Sequence, residues 1–215
     1  MPSPNQSDRI HGDTSVRLVV CHTPEGTDAG AISTILNPRA QVSYHRLYLK
    51  GGKEAVQFVN FKKKAWHAKA YNSLSDGLAV SGHARHFDLD DPSVQAFARG
   101  VAERLIARGL RPQWTTDPRK GGFCRHGDIQ SDRTDPTPDI PEWKLFVGMV
   151  QAWYTRLQKP STDDVPPWPI PVPKWYWNWA LWRLQGRKGP RPADAPMLIP
   201  PWAWRRLRAQ QGLKL

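Results

Sequence analysis

Two short apolar runs, each leading to a histidine, constrain this chain more than any other feature. Leu18-Val19-Val20-Cys21 closes on His22, and Phe123-Cys124 leads to His126. Each run reads as a buried strand that ends in a loop, and a strand end is where a rigid scaffold presents a side chain to solvent. Asp135 follows His126 by nine residues. Two imidazoles and one carboxylate make a candidate three-ligand set, the composition that leaves a fourth position open at a catalytic zinc ion. Cys124 competes with Asp135 for the third place, because it shares a strand face with His126. Spacing alone does not decide between them.

The rest of the first 159 residues reads as one α/β domain. Val16–Cys21 is the first strand, and Ala29–Leu36 is a short helix stopped by Asn37-Pro38. Val42–Leu49 and Ala55–Val59 are β-rich runs that flank Lys50-Gly51-Gly52-Lys53, a hairpin signal. Leu78–Ser81 is a further short strand. The clearest helix opens at Asp91-Pro92, an N-cap followed by proline in the first turn, and closes at Gly109. Its apolar stripe is Val94, Phe97, Val101, Leu105 and Ile106. Another helix begins near Pro141, with Trp143, Phe146, Val147, Val150 and Trp153 on one face.

A chain of 215 residues holds one full domain and an appendage. The net charge of +12 directs it toward polyanions: nucleic acid, an anionic membrane or an acidic cell wall. With only two cysteines, Cys21 and Cys124, a disulfide-rich scaffold is excluded. If His22 and His126 both face a metal, strand alternation puts Cys21 on the opposite face and Cys124 on the same one, so no bridge between them is expected. Residues 1–14, rich in Ser, Pro, Asn and Asp, read as a flexible N-terminal arm without the apolar stretch of a secretory signal.

Composition shifts near Pro160. The last 55 residues hold seven of the eleven tryptophans, ten prolines, and nine Lys or Arg against three acids. Residues 160–173 read as a proline-rich linker, and residues 174–215 as a tryptophan-rich basic segment of two short helices. That segment suits a cell-wall anchor, a membrane interface or extra core packing on the domain before it.

The two histidine segments occur in order with Ser43-Tyr44-His45, Ala65-Trp66-His67 and Asn72 to Gly82. In that order they resemble the zinc-dependent N-acetylmuramoyl-L-alanine amidases of the second type, a family that includes phage endolysins and the peptidoglycan recognition proteins. The resemblance covers roughly residues 15–150 and implies a mixed central β-sheet flanked by helices, with residues 15–159 as the catalytic domain. It also implies zinc held by His22, His126 and Asp135. Tyr44 matches the family tyrosine beside the metal, and Arg133 matches a basic residue that steadies the oxyanion. Trp66, His67 and Asn72 are expected along the substrate groove, while His45 is expected to be structural.

One position departs from the pattern: Ala79 stands where several bacterial members carry the glutamate of Gly-Ile-Glu-Leu. The general base is therefore unassigned, with Tyr44 and Glu25 as substitutes. The activity implied is hydrolysis of the bond between N-acetylmuramic acid and the L-alanine of the stem peptide, in the setting of a phage or prophage endolysin. Such a protein is expected to be a monomer, made in the host cytoplasm and released to the wall through a separate membrane pore. Its partners are expected to be peptidoglycan and acidic wall polymers or membrane, and not nucleic acid. A non-catalytic peptidoglycan-binding module is the rival reading.

Overall fold

The computed structural model describes residues 2–158 apart from His11, Lys53 and Glu54. The expected linker at 160–173 and the tryptophan-rich segment at 174–215 lie outside the described residues. Among the described residues, seven strands and three α-helices follow in the order β1 (Gln6–Asp8), β2 (Leu18–His22), α1 (Asp28–Leu36), β3 (Arg46–Tyr48), β4 (Ala55–Gln57), β5 (Lys63–Ala65), β6 (Ser75–Val80), α2 (Pro92–Ala107), β7 (Gly122–Arg125) and α3 (Ile140–Gln158). The main sheet has the order β4-β3-β6-β2-β7. Its last four strands run parallel, and β4 pairs antiparallel with β3 at one edge. The expected mixed sheet flanked by helices is what the chain forms.

Every residue of β2 and β6 is buried, as in a parallel sheet covered on both faces. Val19, Cys21, Leu78, Val80 and Phe123 pack on one face beneath α2 and α3, against Phe97, Val101, Trp143 and Phe146. On the other face Leu18, Val20 and Cys124 pack with Ala68, while Ala79 and Leu47 meet Ala31 and Ile35 of α1. Cys21 and Cys124 thus lie on opposite faces as free, buried thiols. The helix signals hold. Thr27 caps α1 by accepting from Gly30 N, and Asp91 caps α2 by accepting from Ser93 N at 2.8 Å with Pro92 next in line. In the α2 stripe, Ala98 and Ala102 are buried, whereas Ile106 is only half-buried.

Strand ends differ from the expected ones by up to four residues, as where the run from Val42 becomes a strand only at Arg46, and β5 is unexpected, since Lys63-Lys64 carries no apolar signal. The larger correction is at the N-terminus, where residues expected to form a flexible arm are built into the domain. β1 pairs antiparallel with β5 as a separate two-stranded ribbon. Ser3 and Asn5 are buried: Ser3 Oγ donates to Ile35 O at 2.6 Å, and Asn5 Nδ2 donates to the carbonyls of Ile35, Asn37 and Val42. Polar composition misleads here because these side chains satisfy the carbonyls that the end of α1 leaves unpaired. Arg9, also buried, reaches the sheet and meets Asp76 at 2.6 Å.

Candidate metal centre

His22 is the last residue of β2, and His126 opens a short 3-10 turn directly after β7, the neighbouring parallel strand. The register therefore brings both imidazoles to the carboxyl edge of the sheet, where open α/β sheets place their ligands. Asp135 returns to them along a loop that crosses the turn closely. A Cβ on Gly127 would stand 2.6 Å from Arg133 O, so this crossing needs glycine. Gly127 N then donates to Asp135 O at 3.3 Å. One ligand atom from each of His22, His126 and Asp135 lies within 4.8 Å of the others, and all three residues are buried.

The carboxylate faces the two imidazoles evenly, with Oδ2 3.2 Å from His22 Nδ1 and Oδ1 3.1 Å from His126 Nδ1. Thr23 N also donates to Oδ2 at 3.3 Å. Burial pushes the His22 imidazole down to about 4 against the pull of Asp135. Burial also pushes the Asp135 carboxyl up, but the His126 and His22 imidazoles beside it outweigh that and hold the group well below the usual carboxylate range. At neutral pH the set therefore presents a neutral His22 and an ionised Asp135, the protonation states that a metal ligand needs.

The partners of the outer ring nitrogens complete the fit to a metal. His22 Nε2 faces His67 Nδ1 at 3.0 Å, and His126 Nε2 faces the Gln130 amide at 2.8 Å. Gln130 Oε1 is buried without a partner. A half-turn of that amide sets the oxygen opposite the Nε2–H that coordination through Nδ1 requires. Two nitrogens and a carboxylate, each with its outer side engaged, match a zinc donor set. Cys124 does not join it, because its thiol lies in the apolar cluster of Leu18, Val20 and Ala68, where burial raises it well above the ordinary thiol range.

Tyr44 is buried beside the centre, its ring centroid 5.0 Å from that of His22. Burial raises the phenol beyond its ordinary range, so the hydroxyl stays protonated at working pH. In that state it can donate a hydrogen bond. Arg133 is half-exposed, and its positive charge is felt at both His22 and Tyr44. Glu25, three residues after His22, has φ 51° and accepts from Ala84 N at 2.9 Å. Ala79 lies directly across from His22 in the β2–β6 ladder, so the position of the missing glutamate adjoins a ligand.

Of the three residues expected along the substrate groove, Trp66 and Asn72 are half-buried and His67 is buried against His22. His67 is buried between His22 and Ser75. Asn72 Oδ1 accepts from His67 N at 2.9 Å and Ala68 N at 2.6 Å, and the Trp66 indole donates to Ser7 in the N-terminal ribbon at 3.2 Å. His45 is buried away from the centre, as expected of a structural residue: Gly77 N donates to its Nδ1 at 2.9 Å. Sequence reasoning missed Gln130, which its i+4 position after His126 could have flagged.

The profile of the Amidase_2 family, described as N-acetylmuramoyl-L-alanine amidase, matches residues 12–138. N-acetylmuramoyl-L-alanine amidase A of Achromobacter lyticus is 44% identical over 66 residues, a stretch that covers 31% of this chain and 37% of that protein. Among solved structures, an AmpD selenomethionine derivative superposes with a TM-score of 0.52 at 22% identity, over 68% of this chain and 92% of that one. The Staphylococcus aureus hydrolase AmiA, in complex with its ligand, gives 0.58 at 16% identity over 69% and 78%. AmiD of E. coli, in complex with anhydro-N-acetylmuramic acid-L-Ala-D-gamma-Glu-L-Lys, gives 0.51 at 18% identity over 63% and 57%. These three share the fold.

Proposed function

Because the chain belongs to the Amidase_2 family of N-acetylmuramoyl-L-alanine amidases, we propose that it is a zinc-dependent hydrolase of peptidoglycan. It cleaves the amide between the lactyl group of N-acetylmuramic acid and the L-alanine of the stem peptide. The observation that carries this reading is the convergence of His22, His126 and Asp135, from β2, the turn after β7 and the loop beyond, on one point at the sheet edge. Zinc held by these three groups supplies Lewis-acid polarisation of the scissile carbonyl and activation of water. Tyr44 contributes a fixed hydroxyl donor, and Arg133 a cation, on the side where negative charge grows on the carbonyl oxygen. The acceptors behind His22 and His126 hold the rings so that Nδ1 faces inward.

We place this activity in the setting of a phage or prophage endolysin that reaches the wall at lysis. The net charge of +12 and the basic, tryptophan-rich residues 174–215 support that setting, since together they suit an acidic, sugar-bearing surface. Incubation of the full chain with purified peptidoglycan is the test. The expected products are free stem peptides with newly exposed N-terminal alanine. New reducing sugar ends would mark a glycosidase, and tight binding with no release would mark the non-catalytic module.

A further inference from the structure

Behind the proposed metal ligands lies a chain of buried hydrogen bonds. His22 Nε2 is 3.0 Å from His67 Nδ1, His67 Nε2 is 3.3 Å from Ser75 Oγ, and Ser75 Oγ is 2.7 Å from Tyr71 O. A carbonyl only accepts, so Ser75 spends its single proton on Tyr71 and can only accept from His67. His67 then carries its proton on Nε2 and presents a bare Nδ1 to His22. That nitrogen can only accept, which places the His22 proton on Nε2 and leaves the His22 Nδ1 lone pair facing Asp135. The direction of every bond follows from the serine at the far end.

The surroundings are shaped to hold this ring in place. Gly77 in β6 lies directly beneath it, and a Cβ there would stand 2.5 Å from His67 Cγ. A glycine inside a fully buried strand marks a close approach by another group, and here that group is the imidazole. Asn72 fixes the backbone of His67 from the other side through its two accepted N–H bonds.

We propose that His67 is a positioning residue for the metal centre, selecting through the Ser75–His67–His22 chain the His22 tautomer that coordinates a divalent cation through Nδ1. The inference rests on the zinc reading above and assigns a role to a residue that contacts a proposed ligand, His22. Removing the acceptor behind a ligating histidine typically weakens metal binding about 10- to 100-fold.

The test is the zinc dissociation constant of the full chain, measured by competition with a chromophoric chelator, alongside the melting temperature of each metal-free protein. H67F fills the space but offers no acceptor, and zinc binding is expected to weaken about 10- to 100-fold. H67N places an amide oxygen where Nδ1 stood and should recover most of that loss. S75A frees the His67 tautomer without touching His22 and should give a smaller loss, which keeps the idea testable if H67F fails to fold. Zinc binding within about twofold of wild type in H67F, or equal losses in H67F and H67N at matched melting temperatures, would overturn the positioning role while leaving the metal reading intact. Wild-type protein that takes up no zinc would overturn both.

Discussion

Among the described residues, Asp76 and Asp135 are both buried carboxylates, and they are satisfied in opposite ways. Asp76 in β6 is fully enclosed and saturated by guanidinium groups: Arg9 at 2.6 Å and Arg104 and Arg108 each at 2.8 Å. Burial pushes its carboxyl up, but these hydrogen bonds and charges hold it below its ordinary value. Arg104 also stacks over Phe61, 3.6 Å from the ring centroid. Asp135 meets two imidazoles at 3.1 and 3.2 Å and one backbone N–H at 3.3 Å, with no fixed cation within ion-pair distance among the described residues. The first carboxylate is complete without any added group. The second is held among groups that are lone-pair donors once their protons leave, which is what a metal requires. Burial of a carboxylate thus carries no functional meaning until the chemistry of its partners is known.

The widest expected gap between the two regions is in zinc and hydrolysis. H22A, H126A and D135A each remove one of the three proposed ligands, so each should lose zinc and reduce amidase activity to background. C124S should keep both. Zinc loss in C124S with retention in D135A, read by metal analysis of the purified proteins, would reverse the ligand assignment.

Stability should show the opposite pattern. D76N strips the balancing charge from Arg9, Arg104 and Arg108, and breaking such a buried pair costs about 3–5 kcal/mol. D135N in the metal-free protein leaves no buried arginine unpaired and should cost far less. Urea titration of both metal-free variants checks this, and equal destabilisation would erase the distinction drawn between the two carboxylates.

Y44F and R133A sharpen the account of the catalytic side. Loss of one oxyanion donor lowers turnover by about 100- to 1000-fold. Both variants should show that loss with zinc content unchanged. Turnover within about threefold of wild type would leave the metal as the main catalytic element.

The smallest effect belongs to His45, which borders the Asp76 cluster. Burial pushes its imidazole down to about 4 despite Asp76. An unfolded chain takes up that proton near pH 6.5, about the ordinary histidine value, whereas the folded chain resists until about pH 4. Stability from neutral His45 is therefore present above about pH 6.5 and is lost as pH falls toward 4. The loss is at most about 3 kcal/mol. In metal-free protein, H45Q should flatten the fall in stability over that range by up to about 1.4 kcal/mol per pH unit. His22 and His67 are pushed in the same direction, so an identical slope in wild type and H45Q would assign the acid sensitivity to them alone.

Of these two regions, only the second was legible in the sequence. His22 and His126 announce themselves because an apolar run before a polar residue marks a strand end, and Asp135 follows within one loop. The Asp76 cluster gathers Arg9, Arg104 and Arg108 from the chain start and from α2, and no local pattern links them. Composition assigned Arg9 to a flexible arm, although its guanidinium lies in the core. His67 stood in a recognisable segment, yet sequence does not say which way a ring faces. The signal that pointed inward was Gly77, a glycine within a strand otherwise buried by side chains. The missing glutamate was legible as Ala79, and the ladder placed that position beside His22.

The most direct test of the central claim, that Asp135 anchors a metal centre on which hydrolysis depends, is zinc titration into chelator-stripped full-length protein while stem-peptide release is followed. The account predicts no release from the stripped protein, recovery that saturates at one zinc per chain, and no recovery in D135N. Stripped protein that still releases stem peptides at the wild-type rate, or D135N restored by zinc as fully as wild type, would contradict it.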